Sequence, residues 1–258
     1  MDILADRTLP RPLHVTIDHV AWSRPFAWLK LGAANLRLSL PASTAHGLGM
    51  TLFGWLLLAS MGLYPYFVAA AVTGFLLVAP VLSTGLCELS HRLELGDAPT
   101  FENSVDPLRR SGVALIQFGA MLAIIAVAWF LLSEVMLRPV FPDPSPNLGA
   151  MLYRGFADEA TRGQLLAYVL IGGGLAVAVF VVSVITVPLI IHRNASVGQA
   201  MGASLEAVRR SIPAMFVWAV LIAVLTALGF ATGLVGMILI IPLLGHATWC
   251  GYRELVPH

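Results

Sequence analysis

Residues 38–87 read LSLPASTAHGLGMTLFGWLLLASMGLYPYFVAAAVTGFLLVAPVLSTGLC, fifty positions between Arg37 and Glu88 without one charged side chain. A second charge-free run of forty-two positions lies between Arg210 and Arg253. A chain forgoes charge over such lengths only where no water is present to solvate it. The bilayer is therefore the solvent in which the rest of the sequence must be read.

A helix rises about 1.5 Å per residue, so a hydrocarbon core of about 30 Å needs about 20 residues. The first run is long enough for two crossings, turning at Tyr64-Pro65, and predicts spans at 43–63 and 66–90. Gly112 to Leu137 carries one charge, Glu134, and predicts a third span at 112–137, ended by Arg138-Pro139. Residues 138–163 gather Pro139, Pro142, Pro144 and Pro146 with Asp143, Arg154, Asp158, Glu159 and Arg162, which reads as an aqueous external loop with room for one short helix. A fourth span follows at 164–191, and the second charge-free run folds back near Gly229–Gly233 to give spans at 212–231 and 234–251. The expected fold is all-α, a polytopic bundle of six transmembrane helices. Residues 1–42 form an N-terminal arm with an interfacial helix, 43–251 the membrane domain and 252–258 a short tail.

Six crossings put both termini on one side. That side collects twelve of the fifteen basic residues, and the other holds Arg138, Arg154 and Arg162. The positive-inside rule then places both termini in the cytoplasm. With no short apolar core and cleavage site in the first forty residues, no cleavable signal peptide is expected. Cys87 and Cys250 fall near the reducing end of their spans, so a structural disulfide is not expected. A net charge of +1 gives no phosphate-tracking face and excludes nucleic acid as a partner. Charged residues make up 11% of the chain, about half the ~25% usual for soluble domains. Lysine occurs once, at Lys30, a usage typical of GC-rich bacterial genomes.

The two internal basic loops repeat at an offset of one hundred, Ser104–Ser111 (SVDPLRRS) over Ser204–Ser211 (SLEAVRRS). The arm supplies a third copy, Asn35–Ala42 (NLRLSLPA) over Ala207–Ala214 (AVRRSIPA). The predicted unit is a short cytoplasmic interfacial helix followed by a transmembrane hairpin, used three times. Its basic positions are Arg37, Arg109, Arg110, Arg209 and Arg210. Each short helix has an apolar stripe at helical spacing, such as Met201, Leu205, Val208 and Ile212, and suits either the headgroup region or a soluble partner. Ser196 with Gln199 predicts a capping box opening the third of them.

The hairpin ends repeat too: Pro188–His192 (PLIIH) matches Pro242–His246 (PLLGH), with Pro80–Thr84 (PVLST) a weaker form. Each proline frees the carbonyl four residues earlier, at Leu76, Val184 and Ile238, for a packed kink, a hinge or an ion ligand. His46, Glu88 and His246 fall in the cytoplasmic third of their spans and form the candidate polar or ion site. Ionisable groups in a bilayer are functional candidates by default, although side chains this near an interface also reach water or an ordinary hydrogen bond. Cys87, Cys250, His46 and His246 are metal-ligand types without a close-spaced pair, so no metal and no cofactor are expected. Gly172–Gly174 with Ala176 and Ala178 give the fourth span a small-residue face for the bundle, another membrane protein or a second copy. No nucleophile elbow, phosphate loop or zinc-protease motif is present.

Asp6–Leu13 (DRTLPRPL), Ser23–Gly32 (SRPFAWLKLG), Gly74–Pro80 (GFLLVAP) and Pro242–Trp249 (PLLGHATW) with Tyr252-Arg253 resemble the bacterial integral membrane family called domain of unknown function 2189. The resemblance covers almost the whole chain. The family's pattern has an aspartate where His192 stands, so no shared role is carried to that position. It implies a multi-pass bacterial inner-membrane protein. Anchoring helices and few buried charges point to a non-enzymatic protein that assists or regulates other membrane or envelope components. A small-solute or ion permease, with the proline kinks as moving parts, is the alternative.

Overall fold

The structure, a computed structural model, describes residues 15–60, 81, 83–141 and 148–257. Among these residues it is all-helical, with no strand. The helices are α1 (Arg24–Leu38), α2 (Leu40–Ser60), α3 (Thr84–Leu95), α4 (Phe101–Ser104), α5 (Asp106–Arg110), α6 (Gly112–Leu137), α7 (Leu148–Ala157), α8 (Glu159–Ser183), α9 (Thr186–Arg193), α10 (Val197–Arg210), α11 (Ile212–Ala231) and α12 (Met237–Leu255).

Among the described residues, three stretches are long and apolar enough to cross a membrane: Gly112–Leu137, Glu159–Arg193 and Ile212–Ala231. They carry outward faces of large apolar side chains, among them Val113, Ile116, Ile124 and Val135 on α6 and Phe216 on α11. Such faces are larger than a water-soluble monomer tolerates and are matched by lipid tails. The expected spans at 112–137 and 212–231 coincide with α6 and α11. Most of the span expected at 66–90, with Leu76 and Pro80, lies outside the described residues, as does the Asp6–Leu13 motif; the far end of that span is α3. α2 and α12 occupy most of the spans expected at 43–63 and 234–251.

The fourth span differs from expectation at both ends. It begins at Glu159 rather than 164, because the Asp158 carboxylate accepts from Ala160 N at 3.1 Å and caps the helix from within the polar stretch read as loop. It then breaks at Val184-Ile185, where Ile185 has φ −121° and ψ 3°, and resumes as α9. Pro188 has no N–H for the Val184 carbonyl, so the expected kink becomes a break. α9 is therefore a separate short helix carrying Pro188, His192 and Arg193.

Each of α1, α5 and α10 ends at a serine from which a long helix departs at once. Ser39, Ser111 and Ser211 share one backbone conformation, with φ −118°, −122° and −130° and ψ 26°, 20° and 40°. All three are buried. Ser39 Oγ meets His246 Nε2 at 3.3 Å, Ser111 Oγ donates to Asn194 Oδ1 at 2.8 Å, and Ser211 Oγ accepts from Val20 N at 3.1 Å. A helix that bends here leaves its turn polar, and the serine hydroxyl ties that turn to a distant segment. Residues 15–21, in no regular structure, cross this end as a strap: Asp18 N donates to Leu255 O at 2.9 Å and Ile17 O accepts from Arg210 Nη1 at 3.1 Å.

α12 is the hub, lying against α1, α2 and α3. Small residues permit these close crossings. A Cβ built on Gly47 would stand 2.1 Å from Ile238 O, the carbonyl that Pro242 leaves without its helical donor. The freed oxygen is thus packed against the α2 backbone. Gly47→Ala must push α2 off α12 and is expected to cost about 2 kcal/mol or more. Gly49→Ala adds a methyl with nothing within 4 Å and is the control. Thermal release of buried Cys87 to a thiol dye in detergent measures both; equal midpoints for the two variants would refute the contact.

Candidate functional site

The polar side chains of greatest interest gather at the end of the bundle where the serine turns lie. His246 follows Pro242 by one turn on α12 and is fully buried. Its Nδ1 lies 2.7 Å from Ser90 Oγ on α3 and its Nε2 2.8 Å from Ser43 Oγ on α2. Ser43 meets Ser39 at 2.8 Å, Ser39 donates to Asn35 O at 2.8 Å, and Asn35 Nδ2 donates to Ser90 Oγ at 3.2 Å. The ring therefore links α1, α2, α3 and α12. A neutral imidazole has one donor and one acceptor, and hydroxyls, which both give and take, satisfy either tautomer. Both nitrogens are engaged.

His46, one turn beyond Ser43 on α2, points the other way. Its Nε2 lies 2.8 Å from Ser104 Oγ, and its ring packs on Phe101 at 4.9 Å between centroids. Ser104 Oγ already donates to Phe101 O at 2.6 Å, so Nε2 must carry the proton that Ser104 accepts. Gly85 makes room for the ring: a Cβ there would stand 2.6 Å from His46 Cε1.

Glu88, 1% exposed, is held by two arginines. Oε1 accepts from Arg92 Nε at 3.0 Å and Oε2 from Arg110 Nη2 at 2.7 Å, while Arg92 Nη2 donates onward to Asp106 Oδ2 at 2.6 Å. A buried carboxylate with both oxygens bonded to guanidinium groups is a clamp between α3 and α5. His46 and His246 thus flank the stretch of α3 that carries Glu88, but each of the three serves a different set of partners. Glu88 is bonded to arginines and His246 to serines.

Beside Glu88 lies a cluster that the sequence reading did not assemble. His91 of α3, His192 of α9, and Trp249 and Tyr252 of α12 bring four rings together, with centroids 5.1 to 5.7 Å apart for His91 to His192, His91 to Trp249, His192 to Trp249, and His192 to Tyr252. Tyr252 OH lies 2.7 Å from His192 Nδ1, and burial pushes its phenol up to about 12, so it keeps its proton. Trp249 Nε1 donates to Glu94 Oε1 at 2.8 Å, and Arg253 pairs with Glu94 at 3.0 Å. The repeated proline motif had singled out His192; its companions come from helices about 60 and 100 residues away in sequence.

Among the basic repeat positions, Arg110 is bonded to Glu88, and Arg210 to Glu206 at 2.5 Å and to Ile17 O. Arg37, Arg109 and Arg209 stand exposed in the last turns of α1, α5 and α10. Of the small-residue face, Gly172 lies beneath the Trp129 ring of α6, whereas Gly173 and Gly174 have open space before them. Among the described residues no group of three or more His, Cys, Asp or Glu is arranged to hold a metal ion. Cys87 and Cys250 are free thiols. Chemically, the arrangement cross-links helices through the hydrogen bonds of His246 and the ion pairs of Glu88.

In comparison with known proteins, a family model described as predicted integral membrane protein (DUF2189) matches residues 67–192. The match includes Gly74–Pro80, Glu88 and His192 and leaves the arm and the Pro242–Arg253 stretch outside it. No curated protein and no solved structure matches the chain.

Proposed function

For a chain that resembles the DUF2189 integral membrane proteins and matches their model over residues 67–192, we propose a non-enzymatic, six-span protein of the bacterial inner membrane that assists or regulates other membrane or envelope components. Both termini lie in the cytoplasm, and the fold is three copies of interfacial helix plus hairpin. The three serine turns, alike in conformation and burial, support the repeat.

The observation that carries the reading is the full engagement of His246 and Glu88. Both nitrogens of His246 and both oxygens of Glu88 are bonded to neighbouring side chains. A carrier needs such groups to exchange partners with water or solute, whereas a scaffold needs them locked. The Pro242 kink follows the same logic, its freed carbonyl lying against Gly47.

Two measurements test the proposal. Liposomes containing the purified chain are expected to show no flux of ions or small metabolites above protein-free vesicles; uptake abolished by Glu88→Ala or His246→Ala would instead establish a permease. A reporter fused after His258 is expected to be active in the cytoplasm. Activity only outside it would reverse the orientation.

A further inference from the structure

Arg37, Arg109 and Arg209 each precede a turn serine by two residues, and the three turns have the same backbone conformation. Each arginine is exposed and has a large exposed apolar side chain within three residues: Leu38 at 68%, Leu108 at 54% and Ile212 at 61%. Their neighbours in the arginine pairs have carboxylate partners, Arg110 in Glu88 and Arg210 in Glu206. Among the described residues, no ion pair joins a carboxylate to Arg37, Arg109 or Arg209. A guanidinium beside exposed hydrocarbon, at the level where a helix enters the membrane, faces two chemistries at once. A phospholipid offers both, a phosphate diester above its acyl chains.

We propose that Arg37, Arg109 and Arg209 form three equivalent sites for the headgroup phosphate of anionic phospholipids. The proposal rests on the six-span reading with these turns at the cytoplasmic leaflet. Each guanidinium donates in fork geometry to the phosphate oxygens, and the adjoining Leu38, Leu108 or Ile212 lies along the glycerol and first methylenes. The lipid's net negative charge is what distinguishes it from a zwitterionic neighbour, whose own ammonium competes for the phosphate. The interfacial helices are then held at three points around the bundle by lipid as well as by their apolar stripes.

The test is native mass spectrometry of the full chain in detergent, supplied with phosphatidylglycerol or with phosphatidylcholine of the same acyl chains. Wild type is expected to retain up to three phosphatidylglycerols. Each of Arg37→Gln, Arg109→Gln and Arg209→Gln removes one and weakens retention about fivefold, the order of attraction of one basic residue to an anionic surface. Arg210→Gln, whose guanidinium is bonded to Glu206, keeps the wild-type number. Equal retention of the two lipids by wild type overturns the proposal, and so does unchanged retention in the three single variants, which would leave these arginines to an acidic soluble partner. The reporter fused after His258 reads orientation separately: a cytoplasmic terminus with no lipid preference sinks the lipid sites alone.

Discussion

Replacing His246 by alanine is expected to destabilise the protein by about 3–5 kcal/mol, from two losses that act together. The hydroxyls of Ser43 and Ser90, both fully buried, lose the ring that bonds them at 2.8 and 2.7 Å. Ser43 keeps Ser39 and Ser90 keeps Asn35, so each lost bond costs roughly 0.5–1.5 kcal/mol, and the void left by the ring adds a packing loss. Ser39 and Asn35 share the network, so α1 loosens with it. Removing one partner instead, as in Ser43→Ala, leaves Nε2 its longer contact to Ser39 and is expected to cost about 1–2 kcal/mol. Thermal exposure of Cys87 in detergent measures the series. A wild-type midpoint for His246→Ala would show that the histidine is not a cross-link and would return it to the list of functional groups.

The Glu88 clamp is expected to show a sharper asymmetry. Arg92→Met with Arg110→Met leaves a carboxylate 1% exposed without its guanidinium partners and should cost about 3–5 kcal/mol at neutral pH. Adding Glu88→Met removes the stranded charge and is expected to restore most of that loss, since apolar replacements of a whole buried ion group are often near neutral. Part remains, because Arg92 also holds Asp106 at 2.6 Å. If the triple variant were as unstable as the double, the clamp would owe its worth to side-chain packing rather than to charge.

How much of this was legible in the sequence depends on how far a residue's partner lies along the chain. α6 and α11 were readable to the residue because a serine turn opens each and Arg138 or the Gly233 bend closes it, all local signals. The start of α8 was hidden because Asp158, Glu159 and Arg162 look like loop residues until the capping bond is seen. The Pro188 position was clear, but whether the helix bends or breaks there depends on what packs against it. Ser204 Oγ, donating to Val181 O at 2.7 Å, braces the turn just before the break. Ser39, Ser111 and Ser211 were aligned as a repeat, yet their tethering role was invisible, since the Val20 and His246 partners lie 191 and 207 positions away. His46, Glu88 and His246 drew notice as ionisable groups in apolar surroundings. Their partners are serines and arginines that composition treats as background.

The strap at residues 15–21 joins two places that no helix connects directly. Its anchors are Ser211 and Arg210 at the turn before α11 and Leu255 at the far end of α12. Parting those two helix ends means first peeling the strap from both, so a local opening at either one is felt at the other.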